Sequence, residues 1–156
     1  MDNQQPQPEI YPMPSFPTLT VRDIAASARW YQEALGFQHI FTIPGPGGAP
    51  VLVHVRWRKY ADLLLLAQRE PADAIPKGAG ITLSFAVFEG RVDDIAERAR
   101  RYGAELLTQP TNQPWNARDF SIKDPDGFVL TFTQGPVEAG LSMDRIVGRS
   151  MGTERT

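Results

Sequence analysis

Apolar and polar residues follow two periods along the chain, and each period predicts one kind of element. Strict alternation in FPTLTV predicts a strand. The next segment, RDIAASARWYQEALGF, repeats apolar residues from Ile24 to Leu35 at the spacing of one helical face. Asp23 can cap this helix and Gly36 can end it. Three strands are predicted after it, in QHIFTI, VLVHVRW and ADLLLLAQ.

The same order returns after the loop REPADAIPKG. A strand in ITLSFAV precedes a helix in RVDDIAERARRYG, which ends at Gly103. Three more strands are predicted in AELLT, ARDFSIK and GFVLTFTQ. The last two are joined by DPDG, which suits a type I turn with Pro125 second and Gly127 last.

The two halves are related by a nearly constant offset. Val21 and Val87 lie 66 residues apart, while the helix-ending glycines Gly36 and Gly103 lie 67 apart. We therefore predict an internal duplication, an α+β fold of two βαβββ modules. The predicted boundaries are 16–69 and 79–134 for the modules, 1–15 for a flexible proline-rich arm, and 135–156 for a tail with one weak helical turn or none.

Composition limits the class of protein. A chain of 156 residues with 42% hydrophobic and 22% charged residues is typical of one globular domain. A net charge of -2 argues against a nucleic-acid partner. Without cysteine, disulfides, thiolate zinc sites and cysteine nucleophiles are excluded. The opening segment predicts no secretory signal, and no run of about 18 apolar residues predicts a membrane span, so we expect a cytoplasmic protein.

Alternation also assigns the strand residues to two faces. The predicted helix-packing face is wholly apolar and holds Leu19, Val21, Leu64, Leu66, Leu83, Phe85, Val87, Leu130 and Phe132. The predicted open face mixes hydroxyls and apolar groups and holds Phe16, Thr18, Thr20, Leu63, Leu65, Thr82, Ser84, Thr131 and Thr133. Those hydroxyls either merely suit half-buried strands or line a site for an organic ligand.

Four features in this order resemble the vicinal oxygen chelate superfamily, which includes glyoxalase I, extradiol dioxygenases and bleomycin resistance proteins. They are the order of elements, VRDIAASARWYQEALGF, PWNARDF and the turn DPDG, and together they span about 16–134. The resemblance implies a curved mixed sheet that binds a small organic ligand in its cup. It also implies a homodimer, since the family commonly completes its cups between subunits and exposed sheet edges need cover.

In metal-dependent members of this family, the first and last strands of each module each supply one ligand, His, Gln or Glu early and Glu late. Counting five residues back from Val21 and Val87 gives Phe16 and Thr82. Counting four residues on from Gly127 gives Thr131, and an offset of 66 places its counterpart at Leu65. Such residues do not replace the hydration shell of a divalent cation, so we expect no metal and no other cofactor.

The remaining candidates are aromatic rings and imidazoles. We expect Trp57 and Trp115 at the rim of the cup, where a ring could stack on a planar ligand, although simple packing is the alternative. His54 is either a structural group or, with Asp62 or Asp119, part of an unusual metal site, and spacing leaves this open. No catalytic residue is predicted. The predicted ligand-binding residues are Phe16, Thr18, Trp57, Leu65, Thr82, Ser84, Trp115, Thr131 and Thr133.

Three functions remain in competition. The first is a metal-free binding protein of the bleomycin resistance type that sequesters an antibiotic or toxin. The second is a metal-dependent lyase, isomerase or dioxygenase with relocated ligands. The third is an interaction domain with a vestigial cup. The sequence favours the first, with a neutral or aromatic ligand, because a chain at -2 with basic residues in HVRWRK does not offer the acidic groove that cationic bleomycins need.

Overall fold

The computed structural model describes residues 7–68, 77–79 and 81–152. Most of the predicted loop at 69–78, with residues 1–6 and 153–156, lies outside the described residues. The elements are β1 (Thr18–Val21), α1 (Ile24–Leu35), β2 (Gln38–Pro44), β3 (Pro50–Arg58), β4 (Ala61–Ala67), β5 (Thr82–Ala86), α2 (Val92–Tyr102), β6 (Thr111–Gln113), β7 (Ala117–Lys123), β8 (Val129–Gln134) and α3 (Met143–Ser150).

The strands form two four-stranded mixed sheets, one in each half of the chain. Their orders are β1-β4-β3-β2 and β5-β8-β7-β6. In each sheet the first and last strands pair in parallel and the other pairs are antiparallel. The predicted α+β fold of two βαβββ modules is confirmed. We call β1–β4 with α1 the first module and β5–β8 with α2 the second module.

The two modules belong to two compact units, and each is described separately below. No helix in the described part of the chain is long and apolar enough to cross a membrane.

Both helices of the duplication end where the sequence predicts. Asp23 caps α1, since its Oδ1 accepts a hydrogen bond from the Ala26 amide at 2.9 Å. Gly36 and Gly103 end α1 and α2 with φ of 77° and 91°, a left-handed conformation that favours glycine. At the start of α2 the cap comes from β8: Gln134 Oε1 accepts a hydrogen bond from the Val92 amide at 3.2 Å.

The turn DPDG is held together by its first residue. The Gly127 amide donates to the Asp124 carbonyl at 3.0 Å, which closes the predicted four-residue turn. The buried Asp124 carboxylate also accepts hydrogen bonds from the amides of Asp126, Gly127 and Phe128, at 2.8 to 2.9 Å. Gly127 has a φ of 101°, so a side chain at this position would be strained. This turn fixes where β8 starts.

Two segments differ from the prediction. AELLT does not form a strand: a single bridge joins Leu106 to Ile122, and the short strand β6 begins only after Pro110. Proline has no amide hydrogen to donate, so the ladder resumes beyond it. The C-terminal tail was predicted to form one weak turn or none, yet α3 spans eight residues and is capped by the Ser142 side chain, which accepts from the Arg145 amide.

Aromatic rings fill the core of each module. In the second module Phe85, Phe132 and Phe120 occupy one cross-strand row, with centroids 5.3 and 5.5 Å apart and nearly parallel planes. In the first module Phe37 joins the helix to the sheet, because it contacts Tyr31 on α1 and Trp57 on β3. In both modules these aromatic rings lie on the side of the sheet that faces the helix. The opposite side of each sheet is therefore the one where a ligand site can be sought.

Phe132→Ala should destabilise the protein by about 3–5 kcal/mol, because it opens a cavity between two packed rings. Phe88→Ala is the matched control, since Phe88 is 92% exposed, and it should change stability by less than about 0.5 kcal/mol. Urea unfolding followed by circular dichroism measures both. Equal effects would show that the row is not the core.

Candidate functional site

Register decides which side chains share the open face of the second module. Ser84 on β5 pairs with Thr131 on β8, and Thr131 pairs with Ser121 on β7, so the three hydroxyls form one row across the sheet. The Ser121 and Thr131 hydroxyls lie 2.7 Å apart and are hydrogen bonded. Because cross-strand partners point to the same side, Ser84 and Thr131 share one face, as the alternation predicts, and Ser121 joins them. We call Ser84, Ser121 and Thr131 the hydroxyl row.

Further predicted residues flank the hydroxyl row. Thr82 and Thr133 lie on the same face, and Trp115 is 51% exposed in the turn between β6 and β7. Ser121 was not among the predicted site residues, and Asp119 was predicted only as a possible metal ligand. Asp119 is buried opposite Thr133 and accepts a hydrogen bond from Gln113 Nε2 at 2.8 Å. Alternation within ARDFSIK was the signal that could have placed both on this face.

Register in the first module corrects one prediction. Thr18 pairs with Leu64 and Leu19 pairs with Leu65, so the open face carries Leu64 and Leu66. Leu63 and Leu65 lie on the helix-packing face, where they are 1% and 0% exposed. The two predicted faces of β4 were therefore exchanged: Leu63 and Leu65 were wrongly assigned to the open face, and Leu64 and Leu66 to the helix-packing face. The reason is that the counterpart of Thr131 lies at an offset of 67 and not 66. The glycines that end the two helices already carry this offset.

The expected position of Trp57 at an exposed rim is also wrong. Trp57 follows Val53 and Val55 at the two-residue spacing of β3 and is buried like them, at 7% exposed. Its ring packs on Phe37, with centroids 5.6 Å apart, and so belongs to the aromatic core of this module. Phe16 precedes β1 and is 42% exposed, which keeps it available as predicted.

Of the four positions that the resemblance gives for a metal, register moves one: the counterpart of Thr131 is Leu64 and not Leu65, so the four residues are Phe16, Leu64, Thr82 and Thr131. None of them carries an imidazole or a carboxylate, and the hydroxyl of Thr131 is already paired with Ser121. This donor set does not fit a divalent cation. Within residues 7–68, 77–79 and 81–152, no group of three or more His, Asp and Glu side chains is arranged to hold a metal.

A buried polar cluster lies on the open side of the first module. The carboxylate of Asp62 is 2.6 Å from His54 Nε2 and accepts a 2.7 Å hydrogen bond from Arg56 Nε at the same oxygen. Its second oxygen accepts a 2.6 Å hydrogen bond from the Tyr11 hydroxyl. We call these four residues the Asp62 cluster. His54, Arg56 and Asp62 are buried, at 3%, 6% and 2% exposed.

The surroundings keep Asp62 ionised. Burial alone would raise the pKa of Asp62, but hydrogen bonds from Tyr11, Arg56 and His54 favour the charged form and lower the pKa below its ordinary value. Burial and the bond to Asp62 raise the pKa of Tyr11, so its hydroxyl keeps its proton. With three donors and the charge of Arg56, Asp62 is committed to this cluster and is not free to bind a metal with His54.

The described part of the proline-rich arm packs against the other residues of the Asp62 cluster. The Tyr11 hydroxyl accepts a 2.7 Å hydrogen bond from the amide of Tyr60, a residue with a left-handed φ of 67° in the β3–β4 turn. The Arg56 guanidinium lies over the Tyr11 ring at 4.2 Å and donates to the Glu9 carbonyl at 2.7 Å. These contacts tie residues 9–11 to the first module. The flexibility of the arm stays a prediction.

The fold and the donor positions can now be compared with known proteins. The sequence model of the Glyoxalase/Bleomycin resistance protein/Dioxygenase superfamily matches residues 15–132, and the chain belongs to this superfamily. No curated protein matches the sequence.

Three solved structures illustrate the likeness. TioX from Micromonospora sp. ML1 is 19% identical with a TM-score of 0.60, and the match covers 76% of this chain and 95% of that one. A glyoxalase/bleomycin resistance protein from Streptomyces sp. CB03234 is 27% identical with a TM-score of 0.57, covering 76% and 97%. A virulence protein from Salmonella typhimurium is 21% identical with a TM-score of 0.57, covering 81% and 98%.

Asp62→Asn should lower stability at pH 7 by about 3 kcal/mol, because it leaves the Arg56 charge buried without its counter-ion. A carboxylate with a lowered folded pKa stabilises the protein above its unfolded pKa of about 3.9, and this contribution is lost as the pH falls through the folded pKa. Asparagine does not titrate. Urea unfolding at several pH values should therefore show that the difference in free energy of unfolding between wild type and variant becomes smaller below about pH 4. A difference independent of pH would contradict this.

Tyr11→Phe should cost about 1–2 kcal/mol, because it removes one donor to Asp62 and one acceptor for the Tyr60 amide. Tyr102→Phe is the control, since Tyr102 is 40% exposed on α2, and its effect should stay below about 0.5 kcal/mol. Urea unfolding at pH 7 separates the two variants. If both were neutral, the arm would not dock in solution as described.

Proposed function

We propose that this protein binds a small organic molecule without the divalent cation of its metal-dependent relatives, and holds it stoichiometrically. One observation carries the proposal: the four family metal positions hold Phe16, Leu64, Thr82 and Thr131, which are neutral side chains without a good metal donor. Metal-assisted chemistry in this family needs a cation to polarise the substrate oxygens. Binding does not need one.

The open faces indicate the chemistry of the ligand. The second module supplies the hydroxyl row, whose groups both donate and accept hydrogen bonds without charge. The first module supplies Leu52, Leu64 and Leu66, all half-buried, on the face that also holds Thr18 and Thr20. Apolar walls with a few orienting polar groups are typical of sites for small organic molecules. A neutral or aromatic antibiotic or toxin is therefore the ligand class we propose.

We further propose that the protein acts as a cytoplasmic homodimer. The strand orders support the dimer, because they leave β1, β2, β5 and β6 as terminal strands, each with one unpaired side within the described residues. Such edges are commonly covered by a second subunit. Light scattering during gel filtration measures the mass directly.

A thermal-shift screen of neutral aromatic natural products should yield ligands that stabilise the protein, by about 2.7 kcal/mol at 100 times Kd. The double variant Ser84→Ala/Thr131→Val should weaken binding of such a ligand about tenfold, the effect of one lost neutral hydrogen bond. Thr42→Val is the control, because Thr42 pairs with Val53 and so lies away from the open face. Calorimetric titration of the purified variants measures the affinities.

The same screen includes Zn²⁺, Mn²⁺, Ni²⁺ and Fe²⁺, none of which should raise the melting temperature. A stoichiometric cation that stabilises the protein and supports turnover would replace this proposal with a metal-dependent lyase, isomerase or dioxygenase. A complete lack of stabilisation by any small molecule would favour an interaction domain.

A further inference from the structure

The imidazole of His54 occupies the middle of the open face of the first module. Thr18, Leu64, His54 and Phe41 form one row across all four strands of the sheet. Leu52 and Leu66 form the next row, beside Thr20 and Ile43. His54 therefore has apolar neighbours, Leu64 and Phe41, on the adjoining strands, while its Nε2 side meets the Asp62 cluster.

The Asp62 cluster fixes the tautomer of this imidazole. Asp62 is ionised and can only accept hydrogen bonds, so the close contact of 2.6 Å requires a proton on His54 Nε2. A second ring proton on Nδ1 would be a buried donor without an acceptor among the described residues, so this geometry leaves Nδ1 as a bare acceptor. Tyr11 and Arg56 strengthen this arrangement, because they hold the carboxylate in place.

The bare nitrogen has no partner among the described residues. Nδ1 is buried and makes no hydrogen bond within residues 7–68, 77–79 and 81–152. The residues paired with His54 on the neighbouring strands, Leu64 and Phe41, are apolar. The Phe41 ring meets the imidazole edge-on at 5.0 Å and is itself 38% exposed. A buried acceptor without a donor is costly, and a single water would find few polar partners at this place.

We propose that His54 Nδ1 is the hydrogen-bond acceptor for an acidic hydroxyl, phenolic or enolic, of a ligand lying on the apolar face formed by Leu52, Leu64 and Leu66. This proposal rests on the proposed function and adds a ligand class to it. The ligand ring takes the place beside His54 that the exposed Phe41 ring now covers. Asp62 is the positioning residue, since it acts on the ligand only through the imidazole.

The chemistry of the site favours a phenol over other polar groups. A carboxylate has no proton to donate at neutral pH, and an ammonium group would lose its hydration among three leucines. A phenol brings both a donor and a flat apolar ring.

Paired probes test the proposal: para-substituted phenols that stay protonated at neutral pH, such as 4-chlorophenol, each matched with its methyl ether, which lacks the hydroxyl proton. NMR titration of the full chain should show each phenol binding about tenfold more tightly than its ether, the factor of one hydrogen bond. His54→Gln should abolish this preference. His39→Gln is the control, because His39 is exposed and bonded to Thr42, and it should keep the preference.

The wild-type chain provides a second readout that does not depend on how the variant folds. Imidazole ¹⁵N signals should show His54 protonated at Nε2 and bare at Nδ1, and bound phenol should shift the Nδ1 signal. An Nδ1–H tautomer, or equal affinities for phenol and ether, would overturn the inference and leave the proposed function standing. Failure of every phenol to bind would also overturn it. The proposed function is tested separately, by the thermal-shift screen of natural products and metal ions.

Discussion

The parallel pairing of the first and last strands in each module is the constraint on which the other features depend. Backbone hydrogen bonds fix the register, and a shift of one residue would exchange the two faces of a strand. In the second module this register sets Ser84 beside Thr131 above a core row of phenylalanines. In the first module it sets Thr18 beside Leu64 and brings His54 onto the same face. The residues at the metal positions follow from this pairing.

Most of the fold could be predicted from the sequence because local signals repeat in both halves. Asp23, Gly36 and Gly103 mark helix ends by capping chemistry that needs no tertiary contact. The faces of β4 could not be read in the same way, since LLLL has no alternation and either phase fits it. Trp57 was misplaced for a related reason: β3 is buried over most of its length, so its pattern does not separate the faces.

The Asp62 cluster could not be predicted from the sequence, because its hydrogen bonds join residues that lie far apart in the chain. Asp62 meets Tyr11 from 51 residues away, in an arm whose prolines predicted no fixed structure. The carboxylate thereby joins the arm, the β3–β4 turn and the imidazole in one hydrogen-bonded group. The buried Asp62 carboxylate has two effects: it holds the arm on the first module, and it sets the tautomer of His54. To bind a metal, Asp62 would have to give up its hydrogen bonds with Tyr11, Arg56 and His54.

The central claim is that register places neutral side chains where the family's metal-dependent members hold their cation. Anomalous diffraction from crystals grown with an excess of Zn²⁺, Mn²⁺ or Ni²⁺ tests it most directly, because it detects a bound cation and names its ligands. We expect no anomalous peak on the open face of either module, at Phe16, Leu64, Thr82 or Thr131. A fully occupied peak there, whatever side chains held it, would show that these positions bind a cation after all.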